Sequence, residues 1–145
     1  MRLHASRFSV RAERALQRLA RWVRGGRAPA PAPRLSVQPG FPPIIERDAL
    51  GNAKGGIRTP QIDVAIAALS GVGQPVGSPC SRFGTTIAFD AATLAPLYPD
   101  HRSYVGAVKR ETRRAVKRGF LLAIDAEEIR RAAASSGIGR APSGA

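Results

Sequence analysis

The sequence has little of what enzymes with metal sites, disulfide-rich secreted proteins and membrane proteins depend on. It holds one cysteine, Cys80, and two histidines, His4 and His101, among 145 residues. One cysteine excludes an internal disulfide framework and a zinc site with several thiolate ligands. No apolar run approaches the ~18 residues of a membrane-spanning helix. Residues 1–10 lack the apolar core of a secretory signal, so the default expectation is the cytoplasm.

Length limits the fold as strongly as composition does. The chain fits one modest domain with tails and is too short for an ordinary doubly wound enzyme or an (α/β)₈ barrel. What the sequence does contain is positive charge, with 23 Lys and Arg against 10 Asp and Glu. Residues 1–34 carry a net +8, residues 35–100 a net −1 and residues 101–145 a net +6. An anionic partner would therefore meet the two ends of the chain.

Residues 11–24 predict an amphipathic helix. Apolar side chains recur on one face, and arginines occupy the other: Ala12, Leu16, Leu19 and Val23 against Arg11, Arg14, Arg18 and Arg21. We interpret it as a peripheral helix docked on a larger body. A membrane-surface or partner-binding helix is the alternative.

The rest of the chain divides into three segments. After residues 1–27, a proline-rich linker occupies residues 28–43, a mixed domain portion residues 44–136, and a disordered tail residues 137–145. In the domain portion, alternation at Ile62, Val64 and Ile66 predicts a strand. Three helices follow: 91–97 capped by Asp90, 101–118 capped by Asp100 and ended by Gly119, and one opened by a capping box over 125–128.

Tests for catalytic motifs give no site. The glycines at 51, 55 and 56 with Lys54 do not have the spacing of a phosphate-binding loop, and Pro60 argues against a helix through this segment. No serine has the G-x-S-x-G elbow of a hydrolase, as Ser70, Ser78 and Ser136 illustrate. We expect His101 to be a surface or capping residue and Cys80 to be a small apolar side chain, which are structural rather than catalytic roles. No residue is therefore assigned to catalysis, a metal or a cofactor.

Four blocks of the sequence resemble, in order, the C-terminal part of a bacterial alpha/beta-hydrolase domain family. They are RALQRLARWVRGG at residues 14–26, RDALGNAKGGIRTP at 47–60, RFGTTIAFDAATLAPLYP at 82–99 and GFLLAIDA at 119–126. Together they span about residues 13–139. Ala65 and Ala88 stand where the family pattern has proline, which affects the expected strand and turn geometry there.

The resemblance implies an α/β fold, of which this chain holds a mixed portion, and an ester-type hydrolase. It places the serine nucleophile and the catalytic histidine upstream of these residues. Our leading hypothesis is a C-terminal fragment that is inactive alone, with the upstream part of the same hydrolase as its partner. The alternative is an autonomous basic module for nucleic acid, without sequence specificity, or for an anionic membrane surface. The sequence does not determine the oligomeric state.

Overall fold

A computed structural model describes residues 8–29 and 31–140. The described chain is a mixed α/β structure of five α-helices and two small antiparallel sheets. In chain order the elements are α1 (Phe8–Val23), β1 (Val37–Gln38), β2 (Ile44–Ile45), α2 (Pro60–Asp63), β3 (Ala67–Ser70), a 3₁₀ turn (Pro79–Arg82), β4 (Thr85–Ala88), α3 (Ala91–Leu97), α4 (His101–Lys117) and α5 (Ala123–Ser135).

The core lies where α4 packs against α5 and α2. Its buried members are Val64, Tyr98, Tyr104, Val108 and Ala133. The rings of Tyr98 and Tyr104 meet edge to face with centroids 5.0 Å apart. The Tyr98 hydroxyl donates to the Ala65 carbonyl at 2.9 Å. Burial raises the pKa of Tyr98 to about 12, because ionisation would place a charge in this core.

The predicted helices over 91–97 and 101–118 are confirmed, with α4 ending one residue earlier. The Asp90 carboxylate accepts from the Thr93 N–H at 2.8 Å, and Asp100 accepts from Ser103 at 2.7 Å. These capping bonds lower the pKa of both carboxyl groups, because they favour the charged form. Gly119 has φ 74° and ends α4 in the left-handed conformation that its sequence position predicts.

The predicted strand around Ile62–Ile66 is wrong. Pro60 occupies the first turn of α2, where its missing N–H costs nothing, and the helical turn runs to Asp63. The strand begins at Ala67 instead, and β3 pairs antiparallel with β4. Residues 44–136 therefore hold four α-helices rather than three.

The proline-rich segment is tied to the domain at its end. β1 pairs antiparallel with β2, and the chain around Ser36 also meets the loop after β2. The Ser36 N–H donates to the Lys54 carbonyl, the Lys54 N–H to Glu46, and the Glu46 N–H to Ser36, at 2.9 to 3.0 Å. Three separate stretches of backbone thus close a ring of hydrogen bonds.

The boundaries assigned from the sequence to the segments 1–27, 28–43, 44–136 and 137–145 remain predictions.

The last helix starts earlier than its predicted capping box. α5 begins at Ala123 with Leu122 as N-cap, so Asp125 is the third helical residue and does not cap; that prediction is wrong. After α5, residues 137–140 make a turn, and Ile138 packs against the core. These four residues differ from the predicted disordered tail; residues 141–145 lie outside the described chain.

Helix α1 presents the largest departure from expectation. Its apolar side chains are exposed: Leu16 by 63%, Leu19 by 47%, Trp22 by 51% and Val23 by 77%. Among residues 14–23 of α1, the half-buried side chains are Arg14 and Arg18 on the opposite face. The helix therefore contacts the described chain through arginine and leaves its apolar face open.

Candidate functional site

The block at residues 47–60 forms the densest polar cluster of the described chain, and it begins with a turn. The Asp48 carboxylate oxygen Oδ1 accepts from the N–H groups of Leu50 and Asn52 at 3.0 and 2.9 Å. Gly51 has φ 79° and closes this turn in a conformation that a side chain would disfavour. The turn carries Asn52 to the edge of β3.

Asn52 takes the place of a neighbouring strand. Its side chain is fully buried, with Nδ2 donating to the Ala67 carbonyl at 3.1 Å. Its Oδ1 accepts from the Leu69 N–H at 2.9 Å. An amide side chain offers one donor and one acceptor in the spacing of a peptide group. The backbone edge of β3 is thus closed by one side chain.

Two arginines hold the cluster from either side. Arg47 donates to the Gly51 carbonyl at 2.7 Å and to the Ser70 hydroxyl at 2.9 Å. Arg58 pairs with Asp63, lies 3.7 Å from the Asp48 carboxylate and donates to the Ala53 carbonyl at 3.0 Å. All these groups are engaged with one another or with backbone. The cluster can fix the loop on the sheet, and it offers no free nucleophile or base.

His101 begins α4 and faces the end of α5. Its Nδ1 lies 2.8 Å from the Ile138 carbonyl and its Nε2 3.1 Å from the Ala134 carbonyl. The Arg140 guanidinium lies 3.3 Å from the same Nε2. The ring thus links α4 to the turn after α5, which agrees with the structural role expected for it. His4 lies outside the described residues.

The serines and the cysteine tested in the sequence are dispersed. Ser78 accepts from the Cys80 N–H at 3.0 Å and caps the 3₁₀ turn, while the Ser136 hydroxyl donates to the Ala133 carbonyl at 2.8 Å. Cys80 is exposed. Among the hydrogen bonds of the described chain, His101 makes none to a serine, a cysteine or a carboxylate.

Neither a phosphate cradle nor a metal centre takes shape in this part of the chain. The glycines at 51, 55 and 56 all have positive φ; Gly51 belongs to the turn, Gly55 and Gly56 meet the chain around Leu35, and Lys54 is exposed. No group of three or more His, Cys, Asp or Glu side chains in the described ranges could hold a metal ion. No helix described is long and apolar enough to cross a membrane.

Among the described residues, Asp125 is a buried side chain with a carboxylate oxygen that makes no hydrogen bond. It is 9% exposed, and its Oδ2 has no hydrogen-bond partner among the described residues. The carboxyl lies in the first turn of α5, where the helix dipole favours negative charge. That position accounts for a carboxylate in this location without a catalytic role.

The comparison with known families rests on nearly the whole described chain. A family model described as alpha/beta hydrolase domain matches residues 3–131. The chain belongs to the alpha/beta hydrolase domain family. Neither the curated proteins nor the solved structures give a match. The resemblance found in the four sequence blocks is thereby confirmed at the level of the family.

In this alpha/beta hydrolase domain, the block at residues 47–60 has a structural role, because it fixes a loop on the second sheet. Sequence reasoning treated its glycines as the feature of interest and passed over Asn52. The signal in the sequence was an uncharged amide side chain, Asn52, that follows a turn. Its partner Ala67 lies 15 residues later, on a strand. Spacing alone could not have paired them.

Proposed function

We propose that this chain is the C-terminal portion of an alpha/beta hydrolase and that it hydrolyses no ester until the upstream portion joins it. The observation that carries the proposal is the open apolar face of α1. Leu16, Trp22 and Val23 are half exposed or more, whereas the charged face of the helix meets the described chain. A helix of a globular protein normally buries its apolar face.

The open apolar surface extends beyond α1. Further large side chains are exposed in the first sheet and in the loop before β4, with Ile44 62%, Val76 102% and Phe83 79% exposed. Exposed apolar area on this scale is typical of a surface that another body covers. The family match makes the upstream portion of the same enzyme the natural candidate for that body.

The contacts of the histidine also support inactivity of the chain alone. Ester hydrolysis by a serine enzyme needs a nucleophile within hydrogen-bond reach of a base. Both ring nitrogens of His101 face backbone carbonyls, and Arg140 lies beside one of them. Under the proposed function, the upstream portion supplies the nucleophile and the base, and no residue of this chain does.

Hydrolysis of p-nitrophenyl acetate tests the proposal directly. The purified chain is expected to match the rate of buffer, and addition of the polypeptide encoded upstream of Met1 is expected to produce turnover. A Cys80→Ser variant controls for slow cleavage by the exposed thiol. Turnover by the chain alone that survives in Cys80→Ser would contradict the proposal.

The alternative function is a basic binding module, which the surface of α4 favours. Seven cations of this helix and its C-cap are exposed: Arg102, Lys109, Arg110, Arg113, Arg114, Lys117 and Arg118. Arg114 is paired with Glu111, Arg113 donates to the Lys109 carbonyl at 3.3 Å, and the Arg118 guanidinium lies over the Phe120 ring. The exposed cations can meet a polyanion, although no aromatic stacking platform accompanies them in the described chain.

Salt dependence distinguishes a polyanion site from a merely solvated helix face. Under the alternative, affinity for mixed-sequence duplex DNA falls steeply as salt rises. Arg110→Gln with Arg113→Gln should flatten that slope, while Arg131→Gln, paired with Glu127 on α5, should not. Binding to anionic vesicles but not to DNA would assign the surface to membranes. Absence of both would exclude the alternative.

A further inference from the structure

The second sheet is open at one edge only, and its register shows which groups are free. The Phe89 N–H donates to the Ile66 carbonyl at 3.0 Å, and β3 and β4 continue that register through Ala68 opposite Ile87. In an antiparallel ladder, alternate residues of a strand point their backbone groups to opposite sides. Thr86 and Ala88 therefore direct their N–H and C=O groups away from β3.

Nothing in the described chain receives these groups. No hydrogen bond to the backbone of Thr86 or Ala88 exists there outside the ladder with β3. The opposite edge of the sheet contrasts with this, because the Asn52 side chain bonds both Ala67 and Leu69. The guanidinium of Arg47 adds a contact to the Leu69 carbonyl at 3.3 Å. The sheet can therefore grow in one direction, beyond β4.

Apart from its short length of four residues, the open edge also lacks the features that keep natural edges unpaired. Lysine, proline, an inward charge or a bulge commonly protects an exposed strand. β4 reads Thr-Thr-Ile-Ala and contains none of these residues. Ile87 on this strand is 66% exposed, and Phe83 just before it is 79% exposed. A strand without protection beside exposed apolar side chains is typical of an edge that is paired in the assembled protein.

We propose that the outer edge of β4 pairs with an extended segment of the upstream portion of the hydrolase, through Thr86 and Ala88. The inference rests on the proposed function and adds to it the place where the two portions join. A two-stranded ribbon is marginal in water, and a third strand supplies both hydrogen bonds and cover for Ile87.

The overall charge favours the upstream portion over a second copy as occupant. Each chain carries a net +13, so two copies repel one another, which disfavours a second copy at this edge. Self-pairing is possible by register alone, with Thr86 opposite Ala88 around Ile87. It serves as an outcome of the test.

Amide hydrogen exchange measures the pairing at the two residues concerned. In the chain alone, the Thr86 and Ala88 amides are expected to exchange quickly, and the Ile87 amide more slowly because it faces β3. On addition of the polypeptide encoded upstream of Met1, exchange at Thr86 and Ala88 should slow by about two orders of magnitude. Protection already present in the chain alone, with a dimeric mass, would assign the edge to a second copy and overturn the proposal.

A proline at the edge provides the matched variants. Thr86→Pro removes an outward N–H without touching the ladder to β3, whereas Thr86→Val keeps the N–H and the branched shape. Association with the upstream polypeptide should weaken about tenfold or more in Thr86→Pro and stay unchanged in Thr86→Val. Unchanged exchange at Ile87 in Thr86→Pro verifies that the sheet persists.

The outcomes separate this inference from the proposed function. Ester turnover restored by the upstream polypeptide, with Thr86 and Ala88 still exchanging quickly, would overturn the edge pairing alone. Protection of these amides without turnover would overturn the proposed activity and keep the pairing. An upstream reading frame unrelated to hydrolases would overturn both.

Discussion

The guanidinium of Arg14 donates a hydrogen bond to the backbone carbonyl of Gly119 at 3.2 Å, across 105 residues of sequence. This contact joins α1 to the carbonyl-rich end of α4, where a cation is favoured by the helix dipole. Arg18 lies over the same glycine. The connection between α1 and the described chain is thus polar, and the apolar face of the helix takes no part in it.

Removing these arginines should free α1 without unfolding the domain portion. Trp22 is the only tryptophan of the chain and lies on α1, so its fluorescence anisotropy reports the motion of this helix. Arg14→Ala with Arg18→Ala is expected to lower the anisotropy. Arg27→Ala with Arg34→Ala, an equal change of charge at exposed positions outside the helix, should not. Equal anisotropy in the double variant would show that another contact holds α1.

Loss of the Asn52 amide should destabilise the sheet. Asn52→Ala leaves the Ala67 carbonyl and the Leu69 N–H without their partner, and each unsatisfied buried group costs about 1–3 kcal/mol. We expect a lower urea midpoint and faster amide exchange at Leu69. Gln17→Ala, which removes an exposed amide side chain, is the control and should leave both unchanged. Retention of slow exchange at Leu69 in Asn52→Ala would mean that the sheet edge closes in another way.

Acid should weaken the start of α4 through Asp100. The pKa of this carboxyl is lowered from its ordinary value of 3.8 because it accepts the Ser103 N–H. The stabilisation is therefore present above about that pH and is lost as the pH falls through the lowered folded-state pKa. Helicity followed by circular dichroism should decrease less on acidification in Asp100→Asn, which caps without charge. A carboxyl titration at or above 3.8, followed by NMR, would contradict the assignment.

Alkaline titration should reveal the burial of Tyr98. The pKa of Tyr98 is raised to about 12 by burial, so its folded-state pKa exceeds the ordinary 10.0. The corresponding stability is complete below pH 10 and disappears as the pH rises toward 12. Absorbance at the phenolate band should show a late step that Tyr98→Phe removes. Loss of the hydrogen bond to Ala65 should also cost about 1 kcal/mol in the same variant.

Local signals in the sequence were sufficient to place α3 and α4. Asp90, Asp100 and Gly119 act within one helical turn of their position, so their capping roles could be predicted from neighbours alone. The strand failed because Pro60 begins α2, which moves the extended region to Ala67. The alternation at Val64 and Ile66 reflects packing against the core that includes Val108 of α4 instead.

The parts that could not be predicted depend on partners far apart in sequence. Asn52 acts on residues 15 and 17 positions away, and Arg14 on one 105 positions away. Periodicity correctly placed the apolar and charged faces of α1 but could not say which of them meets the chain. The family resemblance came from four ordered blocks, because order and spacing together carry more information than any one motif.

The ring of backbone hydrogen bonds at Ser36, Glu46 and Lys54 fixes one end of a short tether. The Gly56 N–H donates to the Arg34 carbonyl at 2.8 Å, so the stretch from the glycine pair after α1 to this fixed end is the seven residues 27–33. Fully extended, that stretch reaches about 23 Å. A partner bound to α1 is therefore kept near the rest of the chain. Its second contact becomes intramolecular, with an effective concentration on the order of millimolar for short flexible linkers. Two weak attachments so linked act together as one strong attachment.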